Sequence, residues 1–329
     1  MLALEGKAVD RAPLAHVSAL TTVELQQSTG CSMPGVHTNP EDLARLGAAN
    51  HEILGFDAVS FIINYFNEPV ALGCAVDWGS NRRLPMYMSH PWQTLDDVKK
   101  PADLLDRSPV KECLETIRIA KKKYGSDTAV LGKVMGPLSM VQVMQGVETV
   151  MLNMMDSPEV IQQMMEVAAD ILIECANAQF DAGADAVSLG EGGAGANMVS
   201  PPMHREFLLS VHKRMVEEIH GPLIIHICGD ITPRIDLIME SGFKCFNFDW
   251  AVDIDTLRKA TEGRLSIMGN INTTALLQGD PEEIEKEVFA CLDGRVDIVS
   301  PGCAISPECP NANIRAMREG IDKWYQQKG

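Results

Sequence analysis

Eight short runs rich in Val and Ile recur along the chain, separated by longer stretches of helical period. They lie at Pro13–Ser18, Asp57–Ile63, Ala129–Val134, Asp185–Leu189, Pro222–Ile227, Lys244–Phe248, Leu265–Met268 and Val296–Val299. Such alternation specifies parallel strands joined by helical crossovers, because only a crossover returns the chain to start a parallel neighbour. Eight repeats within 329 residues match one (β/α)8 TIM barrel, which needs about 250 residues plus insertions. Residues 1–329 are therefore expected to form a single barrel domain.

Punctuation supports the helices. Ser157-Pro158 opens a run to Ala182 that stops at Gly183, and Ser200-Pro201-Pro202 opens another that ends near His220-Gly221; proline in the first turn and glycine at the stop are helix boundary signals. Residues 64–128 are too many for one crossover and contain Gly73, Pro85, Pro91 and Pro101. They read as an insertion after the second strand. The sequence predicts a hairpin there, Cys74–Trp78 against Pro85–Ser89, turning at Gly79-Ser80-Asn81, then helices over Trp92–Lys99 and Val110–Tyr124. The six methionines between Met135 and Met155 are read mainly as core.

Charge narrows the partners. With 28 basic against 45 acidic residues the formal net charge is −17, which repels phosphate backbones and anionic membranes. The densest basic run, Lys121-Lys122-Lys123, falls at a predicted helix end and reads as a solvated terminus. No nucleic-acid or membrane partner is expected. The first twenty residues carry Glu5, Lys7, Asp10 and Arg11 without a long apolar stretch, so a cytoplasmic location is expected. There, nine cysteines at irregular spacing stay reduced. Cys74, Cys113, Cys175, Cys245 and Cys291 sit in apolar periodic stretches and read as core.

The fifth run continues as His226-Ile227-Cys228-Gly229-Asp230. Alternate side chains of a strand share a face, so His226 and Cys228 point the same way at the strand's C-terminal end, where barrel enzymes do their chemistry. After the eighth run, Pro301-Gly302-Cys303-Ala304 brings another thiol to the same rim. One imidazole and two thiolates suit Zn2+ and leave a fourth position open, as catalytic zinc sites do. Cys309 is the competing third ligand, but it leads into the final helix whereas Cys303 directly follows the strand. Glu191, after the fourth run, is a candidate to close the fourth position. Asp249 and Asn270, after the sixth and seventh runs, are candidates to orient a ligand or to support His226.

Phe246-Asn247-Phe248-Asp249-Trp250, Met268-Gly269-Asn270-Ile271-Asn272 and Pro281-Glu282-Glu283-Ile284 resemble the uroporphyrinogen decarboxylase superfamily of (β/α)8 barrels. Within it, His226-Ile227-Cys228-Gly229 and Pro301-Gly302-Cys303-Ala304-Ile305 look like the zinc motif of the methylcobalamin:coenzyme M methyltransferases. The likeness extends to Leu4–Pro13 and Thr38–Glu41 and so takes in essentially the whole chain. The decarboxylases carry an arginine-rich stretch after the first strand, and Val17–Thr22 has none. The resemblance implies that His226, Cys228 and Cys303 hold zinc, that an acceptor thiol such as coenzyme M binds as fourth ligand, and that a methylcorrinoid supplies the methyl group. A separate corrinoid carrier protein is the implied partner. Lys133, at the end of the third run, is a candidate to bind the sulfonate of such a thiol. The rival reading runs the transfer in reverse, from a small methylated substrate to a corrinoid protein.

Overall fold

The computed structural model describes residues 1–61 and 64–328, without the side chain of Asn64. Its nine strands are β1 (Ala58–Ser60), β2 (Val76–Asp77), β3 (Met86–Tyr87), β4 (Ala129–Met135), β5 (Ala186–Gly190), β6 (Leu223–Ile227), β7 (Cys245–Phe248), β8 (Ser266–Ile271) and β9 (Ile298–Pro301). All but β2 and β3 form one parallel sheet in the order β1-β4-β5-β6-β7-β8-β9. The eighth stave is the first predicted run. Residues 13–18 form no full strand, yet Leu14 bridges Val299 in parallel. The amide of Ala15 donates to the Val299 carbonyl (3.1 Å), that of Val299 to Pro13 (2.9 Å) and that of Asp57 to Leu14 (2.7 Å). These bonds tie β9 to β1 through the N-terminal segment and close a (β/α)8 barrel.

Strand periodicity then sorts every side chain. Val130, Val187, Leu189, Ile225, Ile227, Phe246, Phe248, Ile267 and Val299 join the large core shared with the helices. Their neighbours Leu131, Ala186, Ile224, Cys245, Met268 and Ile298 meet inside the barrel with Ala15, Val17 and Ala58. Both faces are dry, which is why the strands read as continuous apolar runs rather than alternating ones. Leu4 and Ala3, from the short 3-10 turn Leu2–Glu5, plug the lower end of this inner cluster, and Ser266 Oγ donates to the Ala3 carbonyl at 2.8 Å. The upper layers of the lumen are left for polar residues.

The helix Pro158–Asp181 matches its boundary signals, with Ser157 and Ala182 as caps. In 64–128 the hairpin is present but short: Val76 pairs with Tyr87 and Asp77 with Met86, and the helix Val110–Tyr124 forms as expected. The helix expected over Trp92–Lys99 is only the 3-10 turn Leu95–Asp97. Thr94 and Asp97 form a capping box, which favours starting a helix, but the turn ends at Val98, short of Pro101, which disfavours helical backbone in the residue before it. The predicted second strand reaches only Ser60, and its last two positions, Ile62 and Ile63, lie outside the described residues. Met135, Met140, Met144 and Met154 are core, as read, while Met155 is 81% exposed.

Barrel closure through residue 14 makes a quantitative demand. Leu14 is fully buried and Leu152 is 55% exposed. Leu14→Ala is expected to cost about 2–5 kcal/mol in chemical denaturation, against less than about 0.5 kcal/mol for Leu152→Ala.

Candidate metal centre

His226 is buried in the penultimate position of β6, and its register neighbours are Gly190 on β5 and Asn247 on β7. One residue past the strand, Cys228 projects to the same side. Cys303 arrives from the turn after β9, where Gly302 lets the chain pass close to the loop after β7: a Cβ there would lie 2.9 Å from the Trp250 nitrogen. His226 Nε2 stands 3.2 Å from Cys228 Sγ, and the two sulfurs are 3.3 Å apart. Among the described residues, these three offer ligand atoms all within 4.8 Å of one another.

The donor set fits a zinc ion. Tetrahedral Zn–S bonds of about 2.3 Å place ligand atoms roughly 3.8 Å apart, so the cluster needs to open by only about half an ångström. The two thiols and the imidazole lie within hydrogen-bonding distance. The hydrogen bond from Cys228, with help from His226, pulls the Cys303 thiol well below the ordinary thiol range. The same bond, together with burial, pushes Cys228 well above the ordinary thiol range. Burial opposes the charged imidazole of His226, but its bonds to Cys303 and Asn247 outweigh that and raise its pKa. A thiolate beside a second thiol and an imidazole is the electrostatic condition that a dication relieves.

His226 is oriented by a residue that sequence reasoning passed over. Its Nδ1 meets the Asn247 carbonyl at 3.3 Å, leaving Nε2 for a metal. The Asn247 side chain, fully buried, donates to the Met268 carbonyl (3.1 Å) and to Ser300 Oγ (3.2 Å), so it stitches β7 to β8 and β9 directly beneath the site. A lone Asn between Phe246 and Phe248 in a buried strand was the available signal.

Asp249 and Asn270, candidates to orient a ligand or to support His226, both bond to the loop after β7. Asp249 Oδ1 accepts from the Ala251 amide at 3.0 Å, and Asn270 Nδ2 donates to the carbonyls of Asp249 (3.3 Å) and Val252 (3.1 Å). Asp249 still acts at a distance, since its charge contributes to raising Cys228. Glu191 is not brought into the ligand cluster. Its Oε1 accepts from both the amide and the hydroxyl of Ser139 (2.8 Å each), and its Oε2 lies 3.2 Å from His212 Nε2. The carboxylate thus caps the helix Pro137–Gln145, a position its charge favours. Ser139 Oγ in turn accepts from the Gly193 amide at 2.9 Å, and Gln142 donates to the Gly193 carbonyl at 3.1 Å, so the glycine loop is braced from behind. Lys133 is also committed elsewhere. Its fully buried ammonium donates to the carbonyls of Ser18 and Phe61, and burial lowers its pKa to about 7. Cys309 is buried, with its thiol 2.9 Å from the Leu276 carbonyl.

Above the three ligands opens a cavity of about 410 Å³, walled by Tyr65, Phe66, Tyr87, Met135, Val143 and Val147, with Gly190, Gly192 and Gly193 on one side. Gly190 is obligatory, since a Cβ would sit 2.3 Å from the Tyr65 ring. The Phe66 and Tyr87 rings stack at 4.3 Å. The hairpin residue Tyr87 donates through its hydroxyl to the Tyr65 carbonyl at 2.6 Å, so the inserted segment completes the wall.

A closed (β/α)8 barrel with a His-x-Cys pair at the end of one strand and a cysteine after the last defines the class. The uroporphyrinogen decarboxylase family model matches residues 1–324, and the chain belongs to that family. A methylcobamide:CoM methyltransferase of Methanosarcina barkeri is 31% identical, with 99% of this chain and 97% of that one covered. A methylated-thiol–coenzyme M methyltransferase of Methanosarcina mazei is 29% identical over 96% of this chain and 86% of its own length. Among solved structures, a methyltransferase from Methanosarcina mazei superposes with a TM-score of 0.95 at 30% identity, covering 98% and 97% of the two chains. Among the described residues no helix is long and apolar enough to cross a membrane.

Metal analysis separates the ligands from their neighbours. The wild-type chain is expected to carry one zinc, Cys228→Ser and Cys303→Ser to lose it, and Cys309→Ser and Glu191→Gln to retain it, as read by atomic emission after dialysis.

Proposed function

We propose that this enzyme moves a methyl group from a methylated corrinoid to a small thiol, with a zinc ion held by His226, Cys228 and Cys303. The observation that carries this reading is the convergence of those three ligand atoms at the floor of a cavity open at the C-terminal rim. The names of the relatives, which act on methylcobamide and coenzyme M, support it. When bound, zinc supplies the Lewis acidity that makes an incoming thiol a thiolate near neutral pH, where a free thiol of pKa about 8.5 stays protonated.

The residues of the chain supply the rest. Cys228 and Cys303 as thiolates would neutralise a dication held there, so a substrate sulfur beside it would keep its nucleophilicity. Asn247 fixes the imidazole through its carbonyl, and the Tyr65, Phe66 and Tyr87 walls keep water from the sulfur. Displacement is in line. The sulfur lone pair forms the S–CH3 bond while the cobalt–carbon pair stays on cobalt, giving cob(I)alamin and a methyl thioether, with the thiol proton released to solvent. Alignment of sulfur, methyl and cobalt is the main contribution that a rigid barrel makes.

The corrinoid approaches over the mouth, and a separate carrier protein is the partner proposed to deliver it. The reverse transfer, from a methylated thiol to the corrinoid, is the second reading; a methylated thiol stands in the name of the Methanosarcina mazei relative. The two are separated by incubating zinc-loaded protein with free methylcobalamin and 1-propanethiol. The expected result is loss of the methylcobalamin spectrum with formation of methyl propyl sulfide, abolished in Cys228→Ser. Absence of that product, with methyl propyl sulfide instead methylating cob(I)alamin, would reverse the assigned direction.

A further inference from the structure

We infer that the thiol substrate of this cavity carries an uncharged, mainly apolar remainder, and that the cavity disfavours a thiol bearing a strong anion such as a sulfonate. The inference rests on the function proposed above and specifies its substrate class. Among the described residues that line the cavity there is no lysine or arginine. Sulfonates and carboxylates in dry sites need cations or convergent free donors, and the described lining supplies no permanent cation, with the Ser18 hydroxyl a single unpartnered donor.

Most of the other donors on the wall are turned to the protein. Tyr65 donates to the Val17 carbonyl at 2.8 Å, and Tyr87 to that of Tyr65. Gln142 donates to Gly193, Ser139 to Glu191, and the His90 ring at the lip engages the Val143 carbonyl at 2.7 Å. A helix N-terminus beside a cavity is a ready anion site, and the helix Pro137–Gln145 starts here. That position is already taken, because the Ser139 amide at its start donates to the Glu191 carboxylate. The chain has filled its own anion site with an internal acid. Lys133, the cation within the lumen, is fully buried, absent from the lining, and bonded to the Ser18 and Phe61 carbonyls. A second negative charge would therefore enter beside a thiolate-rich floor, in a chain of formal charge −17, with no countercharge. The walls offer instead Phe66, Met135, Val143, Val147, Ala304 and the faces of two tyrosines, which suit a short aliphatic tail.

The test compares 1-propanethiol with 2-mercaptoethanesulfonate on the zinc-loaded protein. Two readouts are taken at low ionic strength: Kd by calorimetry, and kcat/KM with free methylcobalamin. Both are expected to favour 1-propanethiol at least tenfold. Val147, 46% exposed at the lip, is replaced in Val147→Lys to add a cation without disturbing the core. This variant should narrow the gap several-fold through the KM of the sulfonate thiol, with the gain fading as salt is added. Equal or better binding and turnover of 2-mercaptoethanesulfonate by the wild-type protein would overturn the inference and leave the thiol methyltransferase reading standing. Methylation of neither thiol would overturn both.

Discussion

Ile225 and Ile227 pack outward against the helices, and a strand cannot turn two alternate side chains one way without turning the intervening ones the other. His226 and Cys228 are thereby committed to the lumen, and much of the site depends on this. Parallel pairing with β7 sets Asn247 opposite His226, so the carbonyl that orients the imidazole comes from the sheet ladder itself. Closure by residues 13–18, between β1 and β9, brings the turn after β9 round to within reach of β6. Cys303 then needs only a glycine ahead of it to approach Cys228. A one-residue slip of β6 would bury both ligands among the helices and present Ile227 in their place.

Polar residues in the upper lumen are tied to the frame of the barrel. Asn247 binds three strands together, Lys133 joins Ser18 to Phe61, and Glu191 joins Ser139 to His212. Each leaves the cavity wall apolar while spending its own polarity on the frame. The division of labour is sharp: charge is concentrated at the three ligands, and the surrounding wall contributes shape. A rigid, dry wall around a reactive sulfur is what in-line displacement requires.

Much of this was legible in the sequence. The eight apolar runs located the staves, and the His226-x-Cys228 spacing with Cys303 after the last stave located the cluster, because period two and barrel closure are properties of the backbone. The roles of Glu191, Lys133, Asp249 and Asn270 were not. All four were assigned to the rim by strand position, which fixes where a Cα lies but not which partner a long polar side chain finds. Glu191 found a helix N-terminus, Lys133 two bare carbonyls, and Asn270 the loop after β7. Those partners come from other parts of the chain, 52 to 115 residues distant in the cases of Glu191 and Lys133, and no local pattern announces them. The first stave fell short of a strand for a related reason: its ladder depends on Val299 and Asp57, which only the closed barrel supplies.

The central claim is that His226, Cys228 and Cys303 hold a metal whose remaining position receives the substrate's sulfur. Zinc K-edge X-ray absorption of the protein, with and without 1-propanethiol, tests it directly. The account predicts one zinc with two sulfur neighbours at about 2.3 Å, rising to three when the thiol is added. A sulfur count that stays at two would contradict it.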